Sequence, residues 1–167
     1  SQLMLEFYIN FHKFIQIENF FEIFKDQLNQ CFDNEVIEIM KKLSNKERND
    51  SEMQFKIGCL YNNGKVLQYD SEKAFHYFEL AAKKNHSEAQ FYIGKFYYEG
   101  KVVEKDINKA IKYYELSAEQ KNTEALVYLG NLYSKGEVIQ KNSEKAKEYY
   151  ELAAEHNNGE ALYCLGN

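Results

Sequence analysis

The sequence predicts an all-α protein, a solenoid of stacked helix–loop–helix repeats with an N-terminal helical cap. Three observations predict it. One stretch is written three times and begun a fourth, always 36 residues apart: Ile57-Gly58-Cys59-Leu60-Tyr61-Asn62-Asn63-Gly64, Ile93-Gly94-Lys95-Phe96-Tyr97-Tyr98-Glu99-Gly100, Leu129-Gly130-Asn131-Leu132-Tyr133-Ser134-Lys135-Gly136, then Leu165-Gly166-Asn167. Downstream columns keep the same step, among them Lys73-Ala74, Lys109-Ala110 and Lys145-Ala146. Within each copy the apolar residues recur every three or four positions, the mark of helices with one buried face. A fixed period of this size denotes one supersecondary unit stacked on copies of itself.

Residues 1–49 stand outside the repeat. Stepping back from Gly58 and Gly64 by one period lands on Glu22 and Leu28, which breaks both glycine columns. The segment is rich in large apolar residues at helical spacing (Phe7, Phe11, Phe14, Phe21, Phe24, Leu28), with a second stripe through Val36, Ile39, Met40 and Leu43. Because an array end needs covering, this segment is expected to cap the first repeat. A membrane-surface anchor is disfavoured, since the polar side lacks the Lys/Arg enrichment such anchors need. Repeats are then expected at 50–85, 86–121 and 122–157, with a partial unit at 158–167.

Each unit reads as helix, loop, helix. Asp50, His86, Asn122 and Asn158 share the column before the first helix, where a side-chain acceptor satisfies an orphan amide. Glu52, Glu88, Glu124 and Glu160 follow in the first turn, the favoured place for negative charge. Gly64, Gly100 and Gly136 are expected to end that helix in the left-handed conformation. Gly58, Gly94, Gly130 and Gly166 fall mid-helix instead, which costs about 1 kcal/mol each against Ala. Such a cost, repeated, implies close approach of the paired helix. The loops carry apolar pairs (Val66-Leu67, Val102-Val103, Val138-Ile139), one member of which should tuck under. Asp70, Asp106 and Asn142 cap the second helix, whose aromatics (Tyr77-Phe78, Tyr113-Tyr114, Tyr149-Tyr150) are expected to fill the space between units. Asn85 and Asn157 suit the turn to the next unit.

Composition narrows the function. The net charge is −5, and Arg48 is the only arginine among 21 basic residues. Arginine leads bidentate contacts to phosphates and bases, so nucleic acid is excluded as a partner. The three cysteines form no paired framework and read as thiols of a reducing compartment, consistent with the cytoplasm. No apolar run reaches the ~18 residues a membrane span requires. The chain begins at Ser1 and stops inside a repeat, so it is expected to be a piece of a longer protein. Its unfinished last helix (Ala161, Leu162, Leu165) is expected to cover the third unit and to allow weak self-association.

The pattern Ile/Leu-Gly-x-x-Tyr-x-x-Gly, an apolar loop, then Lys-Ala-x-x-Tyr-Phe/Tyr-Glu-Leu-Ala/Ser-Ala resembles the Sel1-like repeat, a relative of the tetratricopeptide repeat. The likeness spans 50–167. The period favours it over the tetratricopeptide repeat proper, which has a shorter inter-helix loop. The family often has Gly where this chain has Asn85, Lys121 and Asn157, and Pro where it has Ser51, Ser87 and Thr123. Nor does the chain carry the two cysteines per unit of the secreted bacterial members. The resemblance implies a right-handed α-α superhelix serving as an adaptor or scaffold for a protein or peptide partner. It leaves two alternatives: a regulatory repeat region of a larger enzyme such as a protein kinase, or a repeat-array hydrolase.

No catalytic constellation, cofactor site or metal site stands out. His12, His76, His86 and His156 are scattered, without ligand spacing on one helix face. Glu79, Glu115 and Glu151 recur in every unit, whereas an active site needs one constellation. Residues that break a column are the better functional candidates. By analogy with tetratricopeptide grooves, the concave face should present Phe55, Cys59 and Asn62, then Phe91, Lys95 and Tyr98, then Val127, Asn131 and Ser134. The plain alternative for the variable columns is solvated surface, and for Phe55 and Phe91 it is packing between repeats. Lys95 and Tyr98, one turn apart, are the expected anchors for an acidic partner.

Overall fold

The computed structural model describes residues 50–65 and 67–166; the expected cap at 1–49, with Cys31 and His12, lies outside them, as do Val66 and Asn167. Seven helices and no strand occur among the described residues: α1 (Ser51–Asn63), α2 (Ser71–Ala82), α3 (Ser87–Glu99), α4 (Ile107–Glu119), α5 (Thr123–Lys135), α6 (Ser143–Glu155) and α7 (Gly159–Gly166). The chain divides into two compact units, one ending at Ala81 and one running from Ala82. Helices α1 and α2 belong to the first, and α3 to α7 to the second.

The expected caps account for the helix boundaries, with one exception. At the first helices, the His86, Asn122 and Asn158 side chains accept from the amides of Ala89 (3.4 Å), Ala125 (2.9 Å) and Ala161 (3.1 Å). Asp50 has the extended backbone of a cap, but its side chain makes no cap bond. At the second helices, Asp70, Asp106 and Asn142 accept from Lys73, Lys109 and Lys145 at 2.9, 2.9 and 3.0 Å. Gly64, Gly100 and Gly136 end α1, α3 and α5 at φ of 67°, 71° and 69°. The amides of Asp70, Asp106 and Asn142 then donate back to the carbonyls of Tyr61, Tyr97 and Tyr133, closing each loop onto its helix.

The second member of each loop pair is the one that tucks in. Leu67 is buried, Val103 is half-buried, and Ile139 packs on the core, whereas Val102 and Val138 are exposed. Val102 is held at φ 66°. A β-branched residue in that region carries a strain of about 1–3 kcal/mol. The turns between units use the same conformation without glycine, at Asn85 (63°), Lys121 (63°) and Asn157 (57°).

The mid-helix glycines are explained by one aromatic ring each. A Cβ on Gly58 would lie 2.7 Å from the Phe78 ring, and one on Gly94 or Gly130 would lie 2.6 Å from the ring of Tyr114 or Tyr150. Phe78 and Tyr114 are fully buried and Tyr150 nearly so. Burying a large side chain is worth about 1.5–3 kcal/mol, which outweighs the ~1 kcal/mol a helical glycine costs. The second-helix aromatics therefore fill the space within a repeat, and Tyr114 also fills the space between repeats as expected, its ring 4.9 Å from Tyr128 of the next one. Their neighbours Tyr77, Tyr113 and Tyr149 stack on Tyr61, Tyr97 and Tyr133 with ring centroids 6.0, 5.8 and 5.8 Å apart. Over the first-helix rings of those stacks sit Lys73, Lys109 and Lys145, at 5.0, 5.2 and 5.1 Å. That contact gives the Lys-Ala column its reason.

In the second unit α3 pairs with α4 and α5 with α6, while α4 and α6 also contact α5 and α7. A polar seam joins α3 to α4: the Ser117 hydroxyl donates to the Ser87 carbonyl (2.7 Å), and the Gln120 amide to buried Gln90 (2.8 Å). Gln90 in turn donates to Asn85 (3.0 Å), so the buried amide is satisfied on both atoms. On α7, Ala161 is buried and Leu165 and Cys164 pack on the core, but Leu162 is exposed. Leu162 thus points away from the third unit it was expected to cover.

Candidate functional site

The sequence candidates lie on first helices, in both units. Phe55, Cys59 and Asn62 are half-buried on α1, with the Phe55 ring 5.7 Å from Phe78. On α3, Phe91 lies 5.7 Å from Tyr114 and 5.9 Å from Tyr128, so its ring bridges the second and third repeats. The Lys95 ammonium sits 5.9 Å from the Phe91 ring and 5.7 Å from Tyr92. Tyr98 meets Tyr128 edge to face at 5.8 Å. On α5, Val127 is buried in the core, Ser134 is exposed, and Asn131 is tied into the scaffold. Asn131 accepts from the Tyr150 hydroxyl (2.7 Å) and donates to Glu160 (3.1 Å).

One open pocket of about 140 Å³ lies between α3 and α5. Its walls are Tyr98, Tyr128, Asn131, Leu132, Lys135, Glu137 and Val138. The structure thus brings Tyr98 and Asn131 together, leaves Phe91, Lys95 and Ser134 outside the walls, and keeps the α1 candidates in the other unit. Sequence reasoning missed Tyr128, Leu132, Lys135, Glu137 and Val138. A signal existed for two of them. Tyr128 lies three positions before Asn131, one turn along the same helix, and Val138 is the apolar loop residue that does not tuck under.

Beneath this pocket the second repeat differs from the third. Tyr150 has Asn131 as partner; the equivalent position beside Tyr114 is Lys95, which points to the rings of Phe91 and Tyr92. The Tyr114 hydroxyl is buried and makes no well-formed hydrogen bond among the described residues; it faces the phenol of Tyr128, whose ring lies 4.9 Å away. Burial, together with the nearby Tyr128, Glu99 and Tyr98, pushes its pKa far above the ordinary phenol range. Burial likewise raises Tyr128, aided by Tyr98 and Glu99. No cluster of three or more potential metal ligands occurs among the described residues. No helix among them is long and apolar enough to cross a membrane.

Three tandem matches to the Sel1 repeat cover residues 51–86, 87–122 and 123–158, one position beyond the boundaries read from the sequence. No curated protein matches the chain. Among solved structures, a Sel1 repeat protein from Oxalobacter formigenes is 29% identical over 83% of this chain, with a TM-score of 0.68. A protective antigen of uropathogenic Escherichia coli with an SLR fold is 31% identical over 76% of the chain, also at 0.68. Cysteine-rich protein B of Helicobacter pylori is 26% identical over 77%, at 0.60, and 95% of its own length is covered. The chain spans about half the length of the first and about a quarter of the second, at 52% and 27%. The all-α repeat fold read from the sequence is the fold these structures share.

Proposed function

The chain belongs to the Sel1 repeat family, whose members are commonly non-catalytic interaction scaffolds, and from that premise we propose that it binds a protein or peptide partner along the first-helix side of its second and third repeats. The observation that carries this reading is the pocket walled by Tyr98 of α3 and Tyr128 of α5. Tyr98 stands where the other repeats have Asn62 and Ser134, so the fold does not require an aromatic there. Sites that recognise a partner are typically concave and largely apolar, with a few converging polar groups. Here the apolar walls are two tyrosine rings, Leu132 and Val138, and the polar groups are Asn131, Lys135 and Glu137.

Site-specific photo-crosslinking tests the reading. A crosslinking side chain at position 98 or 135 should give a discrete adduct in cells that express the protein. The same group at Lys147, exposed on α6, should give none. Adducts of equal yield at all three positions, or adducts at Lys147 alone, would move the binding face elsewhere.

A further inference from the structure

The whole chain carries −5, yet Lys95, Lys105 and Lys135 gather about the Tyr98–Tyr128 pair. Lys135 is in the pocket wall, the Lys105 ammonium is 5.7 Å from the Tyr98 ring, and Lys95 rests on Phe91, whose ring touches Tyr128. Among the described residues none of the three has a carboxylate within 4.0 Å, whereas Lys56, Lys73, Lys109 and Lys147 are paired with Glu52, Asp70, Asp106 and Glu151. Glu99, the acid nearest on α3, is taken by Lys101 at 2.7 Å. Glu137 in the wall and Glu160, which accepts from the wall residue Asn131 at 3.1 Å, are then the carboxylates set against three ammonium groups that have none within 4.0 Å.

We propose that the pocket seats one aliphatic side chain of an acidic peptide segment, and that the flanking Asp or Glu carboxylates of that segment meet Lys95, Lys105 and Lys135. This rests on the scaffold reading and specifies its partner. A cavity of about 140 Å³ between Tyr98, Tyr128, Leu132 and Val138 has room for one Leu, Ile or Met side chain. A basic segment would bring its cations against three ammonium groups and find two carboxylates, Glu137 and Glu160. Complementary charge at an exposed rim acts within a screening length of about 8 Å at physiological salt, so it steers the partner, while the buried anchor side chain holds it.

A random-peptide display library selected on the purified chain is the test, followed by fluorescence polarisation of the enriched peptides. Enriched sequences should share a Leu, Ile or Met flanked by Asp or Glu, and their affinity should fall as salt rises. The Lys95→Glu/Lys135→Glu variant, with helicity retained by circular dichroism, should weaken them about tenfold; Tyr98→Ala should weaken them at least as much. Neutral or basic peptides that still depend on Tyr98 would overturn the acidic partner and leave the binding face standing. Acidic peptides indifferent to the lysine reversal would also overturn it. Peptides whose binding does not depend on Tyr98 would overturn the face and this inference together.

Discussion

Phe78, Tyr114 and Tyr150 occupy one column of the repeat and solve the same packing problem in three ways. Phe78 has no hydroxyl, Tyr150 hands its hydroxyl to Asn131, and Tyr114 keeps a buried hydroxyl that makes no well-formed bond and faces the Tyr128 phenol. An unsatisfied buried group costs about 1–3 kcal/mol, while a satisfied bond is worth about 1 kcal/mol. The two tyrosines should therefore respond oppositely to loss of the hydroxyl. Tyr150→Phe should lower stability by about 1 kcal/mol, because Asn131 loses the bond it accepts. Tyr114→Phe should be neutral or stabilising. Urea unfolding of both variants decides the matter, and equal losses would mean that the Tyr128 phenol serves the Tyr114 hydroxyl as well as Asn131 serves Tyr150. Lys95, where the first repeat has Cys59 and the third Asn131, sets the second repeat apart, and it is one of the three lysines that the acidic-partner inference uses.

At the scale of the helices, most of the fold was legible because its signals are local. Caps such as Asp106 and Asn122 and stops such as Gly100 depend on a few neighbouring residues, and these fell where expected. The glycine column was legible as a close approach, but the ring that makes the approach was not. That the Tyr114 ring packs on both Gly94 of its own repeat and Tyr128 of the next depends on rotamers that spacing does not specify. The pocket was half legible for the same reason. Tyr98 broke its column, but Tyr128 becomes its partner only when α5 is laid beside α3. Gly159, the first residue of α7 and outside the column, supplies a control, because a Cβ there would meet nothing within 4 Å. Gly94→Ala should then destabilise by about 1–2 kcal/mol, overpacking against Tyr114 exceeding the gain in helix propensity. Gly159→Ala should be neutral or slightly stabilising. Thermal melts of the two variants with the same sign and size would refute the ring contact as the cause.

Over the molecule as a whole, the aromatic content that packs the repeats also sets a limit at high pH. The chain has 14 tyrosines, and burial raises Tyr114, Tyr128, Tyr149 and Tyr150 above the ordinary value of 10.0. Tyr149 is pushed to about 12, by burial first and then by Glu115, Tyr133, Glu148 and Glu119. These groups hold their protons in the folded state and release them more readily when unfolded. Their contribution to stability is therefore fully present below pH 10 and is lost as pH rises toward the folded value, since the unfolded chain then binds fewer protons. Lysines also lose charge there, adding to an already negative net charge, so the tyrosine share has to be isolated. Tyr149→Phe keeps the ring that stacks on Tyr133 and removes one raised phenol. Between pH 10 and about 12 its urea midpoint should fall less steeply than that of the parent chain, with the two curves parallel below pH 9. Ultraviolet absorbance should in parallel show phenolate appearing in the parent late, together with unfolding. Identical alkaline slopes for parent and variant would place the loss on the lysines instead.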